Sequence, residues 1–494
     1  MRRVLLASSL SLALLWTAAA ASAGPAGGLK FVECLTGKRP VTVEPRTPRE
    51  GGCVVTQTVA GDGEGSGIND VQSLVASPDG RSLYGVAPSD AAVSVFSTRP
   101  LRLRECFTTT NDLRDRGPQP CHLLPHPGTE DVVSGFNSVF FVTVSPDGRS
   151  VYTVSRDASI GMFARAPSGK LTYKGCITGD DGKFGSARNG ACKAIPTATD
   201  GGYASGLGGP SSITVSPDGR FAYVTLGEEN GIATLARAPD GRLSFVSCLQ
   251  GRPGQVFSGG APVASPCALV STAAKNPNGA GLAAPKRIAI SADGRSLYSS
   301  SPPRGAIAEF HRDPATGALT FMGCLGAATK GTGPDDPCRY VPQADQLAWE
   351  TGLWGLTEIA LNRAGTALYG VAGDDDSIVS FSRDPATGTL TFAEAAEMPE
   401  PHGLALSKDG ASLFVASRPD AAINRFRLGP GASLRFLGCL TWSPKAVGPC
   451  ARARAKNGRV QRLGHTGFNS LALAGGSLYA AAGSDSALSR LAVR

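Results

Sequence analysis

Four ionisable side chains precede successive copies of one turn motif and are the candidates for catalysis. Lys286 and Arg287 precede one copy, Glu358 precedes the next, and His402 precedes the one after that. A histidine or a carboxylate can activate water, and a cationic side chain can hold a substrate carboxylate or a developing oxyanion. This combination suits the opening or closing of a lactone ring, with His402 or Glu358 activating water and Arg287 holding the oxyanion. The alternative is that the four are ordinary turn-entry and ion-pair residues.

A repeated β-structure must position these residues. The turn motif occurs as SPDGRSLY at 77, SPDGRSVY at 145, SPDGRFAY at 216 and SADGRSLY at 291, then as NRAGTALY at 362, SKDGASLF at 407 and AGGSLY at 474. Most copies are about 70 residues apart, and one interval is only 45 residues. A long period of this kind indicates a repeat architecture.

Each repeat predicts four short antiparallel strands, which we name A to D. Strand A precedes the Pro-Asp-Gly turn and strand B follows it, while a second turn, RDPATG at 312–317 and 383–388, separates strand C from strand D. Four such strands form a propeller blade. The last repeat lacks strand D, and the stretch from Leu29 to Val32 is a strand D without a repeat of its own. We therefore predict an all-β, seven-bladed propeller over residues 24–494, in which the N-terminal strand joins the last blade and closes the ring.

This architecture predicts where the candidate residues lie. Strand A is the innermost strand of a blade, so equivalent positions at its start should form a ring at the mouth of the central channel. The position five residues before the motif is occupied by Gln72, Phe140, Ser211, Lys286, Thr357, His402 and Asn469. We expect Asn469, a member of this ring, to bind a ligand. Two tryptophans of a nearby loop, Trp349 and Trp354, should also bind it, because indole rings are platforms for sugars and partner side chains. The alternative is that these tryptophans and Trp442 pack beneath the loops as small cores.

Twelve cysteines form six local pairs between strand D of one blade and strand A of the next. The predicted disulfides join Cys34 to Cys53, Cys106 to Cys121, Cys176 to Cys192, Cys248 to Cys267, Cys324 to Cys338, and Cys439 to Cys450. An even count in local pairs favours disulfides, and no CxxC spacing or Cys/His cluster supports zinc. The 45-residue junction has no pair. The loops between strands D and A, together with those between strands B and C, should emerge on one face of the ring, which we call the loop face.

Two further patterns bear on metal binding, and both are interpreted structurally. A mostly acidic ring precedes strand C and consists of Asp90, Asp157, Glu229, Arg304, Asp375, Asp420 and Asp485. We expect each carboxylate to cap its own turn between strands B and C, rather than to form a metal collar. The segment from Asp62 to Gly67 resembles the start of a calcium loop but lacks the glutamate at its twelfth position. Neither a metal nor any other cofactor is expected.

The first residues and the charge indicate where the protein works. Residues 1–23 have a basic start, an apolar stretch and an Ala-Ser-Ala site, which predicts a signal peptide and a secreted, periplasmic or cell-surface protein. The general secretory route is favoured over twin-arginine export. A formal charge of +8 is too small for a chain of 494 residues to indicate nucleic-acid binding, and no later segment is apolar enough to span a membrane. A monomer is expected.

The repeats resemble those of the lactonase-like seven-bladed propellers, the group that contains bacterial 6-phosphogluconolactonase and fungal carboxymuconate cyclase. The SPDGR turns, the Tyr223-Val224-Thr225 run and the RDPATGxLTF turns carry the resemblance. These motifs specify blades rather than chemistry. The expected function is therefore that of an exported binding or interaction scaffold, which holds a small molecule, a glycan or a protein on its disulfide-bonded loop face. The alternative that the resemblance implies is an extracytoplasmic lactonase-type hydrolase or cyclase acting at the channel mouth.

Overall fold

The computed structural model describes most of the repeat region. The described residues are 26–37, 53–56, 66–109, 121–124, 135–136, 138–181, 192–251, 265–270, 279–327, 338–341, 352–443, 449–454 and 467–494. The predicted signal peptide, Trp349 and the start of the calcium-like segment lie outside them. None of the described segments forms a helix long and apolar enough to cross a membrane.

Seven antiparallel sheets follow one another along the chain, which confirms the predicted seven-bladed propeller. In blades 1 to 7, strand A is Ser73–Ala76, Val139–Val144, Pro210–Val215, Ile288–Ile290, Leu356–Leu361, Pro401–Leu406 and Phe468–Ala474. In the same order, strand B is Ser82–Ala87, Ser150–Ser155, Phe221–Leu226, Ser296–Ser301, Ala367–Ala372, Ser412–Ser417 and Ser477–Ala482. Strand C is Ala92–Thr98, Ser159–Arg165, Gly231–Arg237, Ala306–Arg312, Ser377–Arg383, Ala422–Leu428 and Ala487–Val493. Strand D is Leu101–Thr108, Leu171–Asp180, Leu243–Gln250, Leu319–Gly326, Leu390–Glu397, Leu434–Thr441 and, in blade 7, Leu29–Thr36.

The ring closes as the sequence predicts. Strand D of blade 7 pairs antiparallel with the last strand of the chain, from Leu29 opposite Val493 to Thr36 opposite Ala487. Trp442 is buried where blades 6 and 7 meet, with its ring centroid 6.3 Å from that of Phe31 and 5.3 Å from that of Phe468. The N-terminal strand therefore completes both a sheet and an inter-blade core.

Six blades have a fifth strand, which we name E, so four strands per blade is confirmed only for blade 5. Strand E is Cys121–Leu123, Cys192–Thr199, Ala268–Leu269, Cys338–Tyr340, Ala451–Arg452 and, in blade 7, Cys53–Val55. It runs parallel to strand D at the outer edge of the blade. All six predicted disulfides are present and join strand D to the start of this outer segment. The remaining regular elements are short 3-10 turns at Pro88–Asp90, Asp200–Gly202, Gly279–Gly281, Pro302–Arg304 and Pro430–Ala432.

The Ser-Pro-Asp-Gly turn is closed by its own side chains. The Ser77 hydroxyl donates to the Asp79 carboxylate at 2.5 Å, and the same carboxylate oxygen accepts the Arg81 N–H at 3.0 Å. Gly80 has a φ of +68°, a backbone conformation that side chains with a Cβ rarely adopt. This explains why Asp and Gly recur together in the motif.

A buried arginine links each of four neighbouring blade pairs. Arg312, at the end of strand C in blade 4, donates to the Tyr223 hydroxyl at 2.6 Å, to the Gly294 carbonyl at 2.8 Å and to the Asp218 carboxylate at 2.8 Å. Tyr223 and Asp218 belong to blade 3, so the guanidinium group joins the two blades. The same arrangement recurs at Arg165 with Tyr84, Arg237 with Tyr152 and Arg383 with Tyr298. We call each of these an arginine clamp; apolar packing between neighbouring blades surrounds them, in seven separate clusters.

Removing one clamp should destabilise the propeller. The side chain of Arg312 is fully buried. Arg312→Ala removes the donor to the Gly294 carbonyl and to the Tyr223 hydroxyl, which keeps only its own bond to the Gly317 carbonyl, and we expect a loss of about 2–4 kcal/mol. The control is Arg242→Ala, which removes an exposed ion pair to Asp240 and should change the free energy of unfolding by less than about 0.5 kcal/mol. Chemical denaturation measures both, and equal losses in the two variants would contradict the proposed role of the clamp.

The clamps should also make the fold sensitive to acid. Partial burial opposes ionisation of Asp79, but hydrogen bonds from Ser77, Arg165 and the Arg81 N–H outweigh it and lower its pKa to about 2. A carboxyl whose pKa is lower in the folded state contributes stability above its unfolded pKa, and this contribution is lost as the pH falls from about 4 to about 2. Denaturation curves recorded across this range should show the loss, and Asp79→Asn should reduce the slope. A variant with the wild-type slope would show that Asp79 makes no such contribution.

Candidate functional site

A cavity of about 710 Å³ lies where the starts of the seven A strands converge on the loop face. It is lined by all seven residues that stand five positions before the turn motif, namely Gln72, Phe140, Ser211, Lys286, Thr357, His402 and Asn469, and by Arg287 and Glu358. The expectation that equivalent positions meet around one axis is therefore confirmed. The volume falls within the range of about 300–1,000 Å³ usual for small-molecule sites.

A second group of lining residues follows strand B and was missed in the sequence. Arg156, Glu228 and Arg418 come at or just after the end of that strand in blades 2, 3 and 6, and Asp70 precedes strand A of blade 1. The positions after strand B recur in every repeat. Aligning the repeats on the turn motif, as was done for the start of strand A, would therefore have found these residues. Together the lining residues include four cations and three carboxylates.

Arg287 and Glu358 form an ion pair at the cavity wall. Two guanidinium nitrogens of Arg287 lie 2.8 and 2.6 Å from Glu358 Oε1, and the third donates to the Lys286 carbonyl at 3.3 Å. The guanidinium carbon also lies 4.6 Å from the centroid of the Phe141 ring. Because every nitrogen of the group is engaged, Arg287 is placed to brace the wall and not to take up an oxyanion.

Lys286 has no such partner. Its ammonium group lies 5.8 Å from the centroid of the Phe140 ring, which belongs to blade 2. Within the described part of the chain the ammonium makes no hydrogen bond or ion pair. Burial lowers the pKa of Lys286, and the positive charges of Arg287 and Arg156 lower it further. A cation held in this way gains from a bound anion.

His402 and Asn469 lie beside Arg418 in the same cavity. Burial, with a smaller effect from the Arg418 charge, lowers the pKa of His402 to about 4, so its imidazole is neutral at pH 7. Arg418 donates to the Asn469 side-chain oxygen at 2.7 Å, while the Asn469 amide nitrogen donates to the Val71 carbonyl at 3.3 Å. Asn469 therefore lines the cavity with both ends of its amide engaged, and it orients Arg418.

Trp354, the described member of the predicted tryptophan pair, is not brought to the cavity. Trp354 is half-buried against the apolar cluster between blades 4 and 5, and it is not among the residues that line the cavity. Trp442 is part of the core at the ring closure. The described tryptophans thus follow the alternative in which they pack beneath the loops, and Trp349 lies outside the described residues.

The acidic ring before strand C does more than cap its own turns. One Glu229 carboxylate accepts the N–H groups of Ser205, Gly206 and Gly208, at 2.6 to 3.1 Å, from the loop that leads into strand A of its blade. Asp90 and Asp375 accept N–H groups from the equivalent loops of blades 1 and 5. These three side chains therefore reach across to the preceding loop and fix it, a role that the expectation of turn capping did not include.

One group of acidic residues elsewhere has oxygens close enough to share a cation. Asp180, Asp181 and Asp200 in blade 2 place one carboxylate oxygen each within 4.8 Å of the others. Asp180 also accepts the Gly201 N–H at 3.2 Å, so the group holds its own loop together.

Comparison with known proteins supports the resemblance noted in the sequence. Residues 340–434 match the family described as the lactonase seven-bladed β-propeller. The chain is a seven-bladed propeller that is similar to this family over the matched residues. The matched residues cover blade 5 and most of blade 6, including Glu358 and His402. A comparison with curated protein sequences finds no match.

Solved structures of low similarity are also found. A periplasmic gluconolactonase from Pseudomonas aeruginosa has 18% identity and a TM-score of 0.47, covering 74% of this chain and 84% of that one. Hydrazine synthase from Kuenenia stuttgartiensis has 13% identity and a TM-score of 0.49, covering 85% of this chain and 95% of that one. Similarities of this size carry no information about the activity of this protein.

The environment of His402 can be tested directly. The imidazole should titrate near pH 4 in an NMR experiment on the folded protein, because burial and the Arg418 charge both disfavour its protonated form. Arg418→Gln removes the second effect and should raise the pKa of His402. Arg304→Gln removes a cation that does not line the cavity and should leave the pKa unchanged. A wild-type pKa near 6.5 would mean that the ring is solvated and not held in the cavity wall.

Proposed function

We propose that the protein binds a small organic anion in the cavity at the channel mouth. The observation that carries this proposal is the ammonium group of Lys286, which lies in the cavity wall without an ion pair or hydrogen bond within the described part of the chain. A buried, unpaired cation is costly unless a ligand supplies the opposite charge.

The rest of the wall is consistent with a carboxylate-bearing ligand. Arg156 lines the cavity and lowers the pKa of Lys286 through its charge, so the two cations are close together. Thr357 Oγ1 and Arg418 Nε are buried in the same wall without hydrogen-bond partners among the described residues. Phe140 offers an apolar surface beside Lys286. An anion with a short polar or planar body would neutralise the cations and occupy these groups.

The loop face would act as the scaffold of this site. Disulfides hold the start of strand E against strand D in six blades, and the acidic residues before strand C hold the loops that lead into strand A. A rigid rim of this kind reduces the cost of ordering loops when a ligand binds. Six disulfides are also typical of an oxidising compartment, which supports export of the protein.

Lactone hydrolysis is the second candidate function, and the family match over residues 340–434 favours it. Water would add to the lactone carbonyl, the ring C–O bond would break, and the released alkoxide would take the proton lost by water. Of the two bases predicted from the sequence, neutral His402 is the one available to accept that proton, because Glu358 is paired with Arg287. Lys286 could stabilise the oxyanion. The product is a hydroxy acid, which belongs to the class of anions proposed as the ligand.

Binding of an aldonate should show whether the anion binds in the cavity or elsewhere on the surface. Gluconate should bind wild-type protein, and Lys286→Met should weaken binding at least about tenfold, equivalent to about 1.4 kcal/mol. Lys408→Met removes the same charge from the turn-bearing face and should leave the affinity unchanged. Calorimetry measures both, and rising salt should weaken binding because the contact is ionic. Equal affinities for wild-type protein and Lys286→Met would exclude this site.

Turnover distinguishes the two candidate functions. If the protein is a lactonase, glucono-1,5-lactone should be hydrolysed above the spontaneous rate, and His402→Ala should remove that excess while the melting temperature stays within a few degrees. If it only binds the anion, gluconate binds but the lactone decays at the spontaneous rate. Activity that survives His402→Ala would rule out the assigned base.

A further inference from the structure

Blade 5 lacks the strand that covers the outer edge of every other blade. Strand D pairs with both strand C and strand E in six blades. In blade 5, strand D, Leu390–Glu397, pairs only with strand C among the described strands. Three residues, Met398 to Glu400, connect this strand to strand A of blade 6, and all three are described. The junction therefore has no residues from which a fifth strand could form.

The missing strand leaves a defined pairing position. In blade 4, Cys324 lies opposite Ala308, and in blade 5 Ala395 lies opposite Val379 at the same point of the ladder, one residue after the same irregularity. Ala395 therefore stands where the other blades have the strand D cysteine. Two residues after that cysteine, a carbonyl accepts an N–H from the segment that follows strand E, and these carbonyls belong to Thr36, Thr108, Gln250, Gly326 and Thr441. The equivalent carbonyl in blade 5 belongs to Glu397.

The edge at this position is accessible. Thr391, Ala393, Ala395 and Glu397 are exposed and alternate with less exposed residues. Their side chains are mostly small, and the strand contains neither the proline nor the lysine that commonly protects sheet edges. Because a residue of a strand directs its N–H and C=O to the same side, Ala395 and Glu397 present both groups outward.

The charge around this edge selects its partner. Glu397, Glu400, Asp374 and Asp376 are all exposed near the end of the strand. The Asp376 carbonyl accepts the Met398 N–H and its carboxylate accepts the Glu400 N–H at 2.7 Å, which places these acids together. None of the four forms an ion pair within the described part of the chain. A second copy paired edge to edge would bring like charges together, which disfavours such a dimer.

We propose that the outer edge of blade 5 binds an extended segment of another protein that carries basic side chains. The segment adds as a fifth strand parallel to strand D, the geometry that the chain itself uses in the other six blades. Main-chain hydrogen bonds to Ala395 and Glu397 supply the binding, and the surrounding acids select a basic sequence. This surface is separate from the cavity at the channel mouth and does not depend on the function proposed for it.

A basic β-forming peptide is the probe. We expect a fluorescein-labelled heptapeptide of alternating lysine and valine to bind the full chain saturably in fluorescence anisotropy, and a peptide of alternating glutamate and valine not to bind. N-methylation of alternate peptide bonds, which removes edge hydrogen bonds, should abolish binding. In hydrogen exchange, the peptide should slow exchange of the Ala395 and Glu397 amides.

Variants of the protein show whether the peptide binds at the outer edge of blade 5. Ala395→Pro removes an outward N–H while leaving the ladder to strand C intact, and it should weaken peptide binding at least tenfold. The double variant Glu397→Lys, Glu400→Lys should weaken it to the same degree. Arg435→Glu, on the covered strand D of blade 6, and Lys286→Met, in the cavity, should leave the affinity for the peptide unchanged. The proposal is overturned if the basic peptide does not bind, if Ala395→Pro binds it with wild-type affinity, or if light scattering shows a dimer that Ala395→Pro converts to a monomer.

Discussion

The arginine clamps fix how blades 1 to 5 stack on one another, and the position of the site follows from that stacking. Arg312 contributes all three donor nitrogens to the joint between blades 3 and 4, to a tyrosine hydroxyl, a turn carbonyl and a carboxylate. Each acceptor occupies a fixed place in the repeat, so the clamp fixes the height of one blade against the next. Residues at equal offsets from seven turns then reach the channel at equivalent places. The cavity is formed by this regularity and not by a specialised loop.

The clamps and the disulfides act at different ends of a blade. The clamps hold the turn-bearing face, where the Ser-Pro-Asp-Gly turns lie, and the disulfides hold strand E on the outer edge near the loop face. The arrangement is not uniform, since Leu428 and Val493 stand in blades 6 and 7 where the arginine stands in blades 2 to 5. Blade 6 is tied to blade 7 instead by Arg425, which donates to the Gly27 and Arg494 carbonyls. The sector from blade 5 onward thus has its own contacts, and blade 5 has the open outer edge.

The chemistry of the cavity depends on which charges are already paired. Arg287 and Glu358 neutralise each other, so the cations that remain to bind an anion are Lys286, Arg156 and Arg418. His402, neutral at pH 7, faces the cavity among them. This distribution supports anion binding, and between the two bases predicted from the sequence, His402 and Glu358, it favours His402 for a lactone. A seven-bladed fold alone would not separate these possibilities, because the same architecture supports unrelated chemistry.

The sequence by itself determined the repeat, and with it the blade number, the closure by Leu29–Thr36, the six disulfides and the ring of seven mouth residues. These could be predicted because each depends on spacing along the chain: a fixed offset from a turn becomes a fixed position around the axis. The arginine clamps and the partners of Arg287 could not, because each is a contact between residues of different blades that no spacing along the chain specifies. Strand E is close to strand D in sequence, but its pairing depends on main-chain geometry that residue types and spacing do not reveal. The position of Trp354 in a loop between strands D and A could also be predicted from the sequence. The direction of its side chain could not, because it depends on the apolar cluster between blades 4 and 5. Which cations remain unpaired in the cavity was likewise decided only by the tertiary structure, where competing partners from several blades meet.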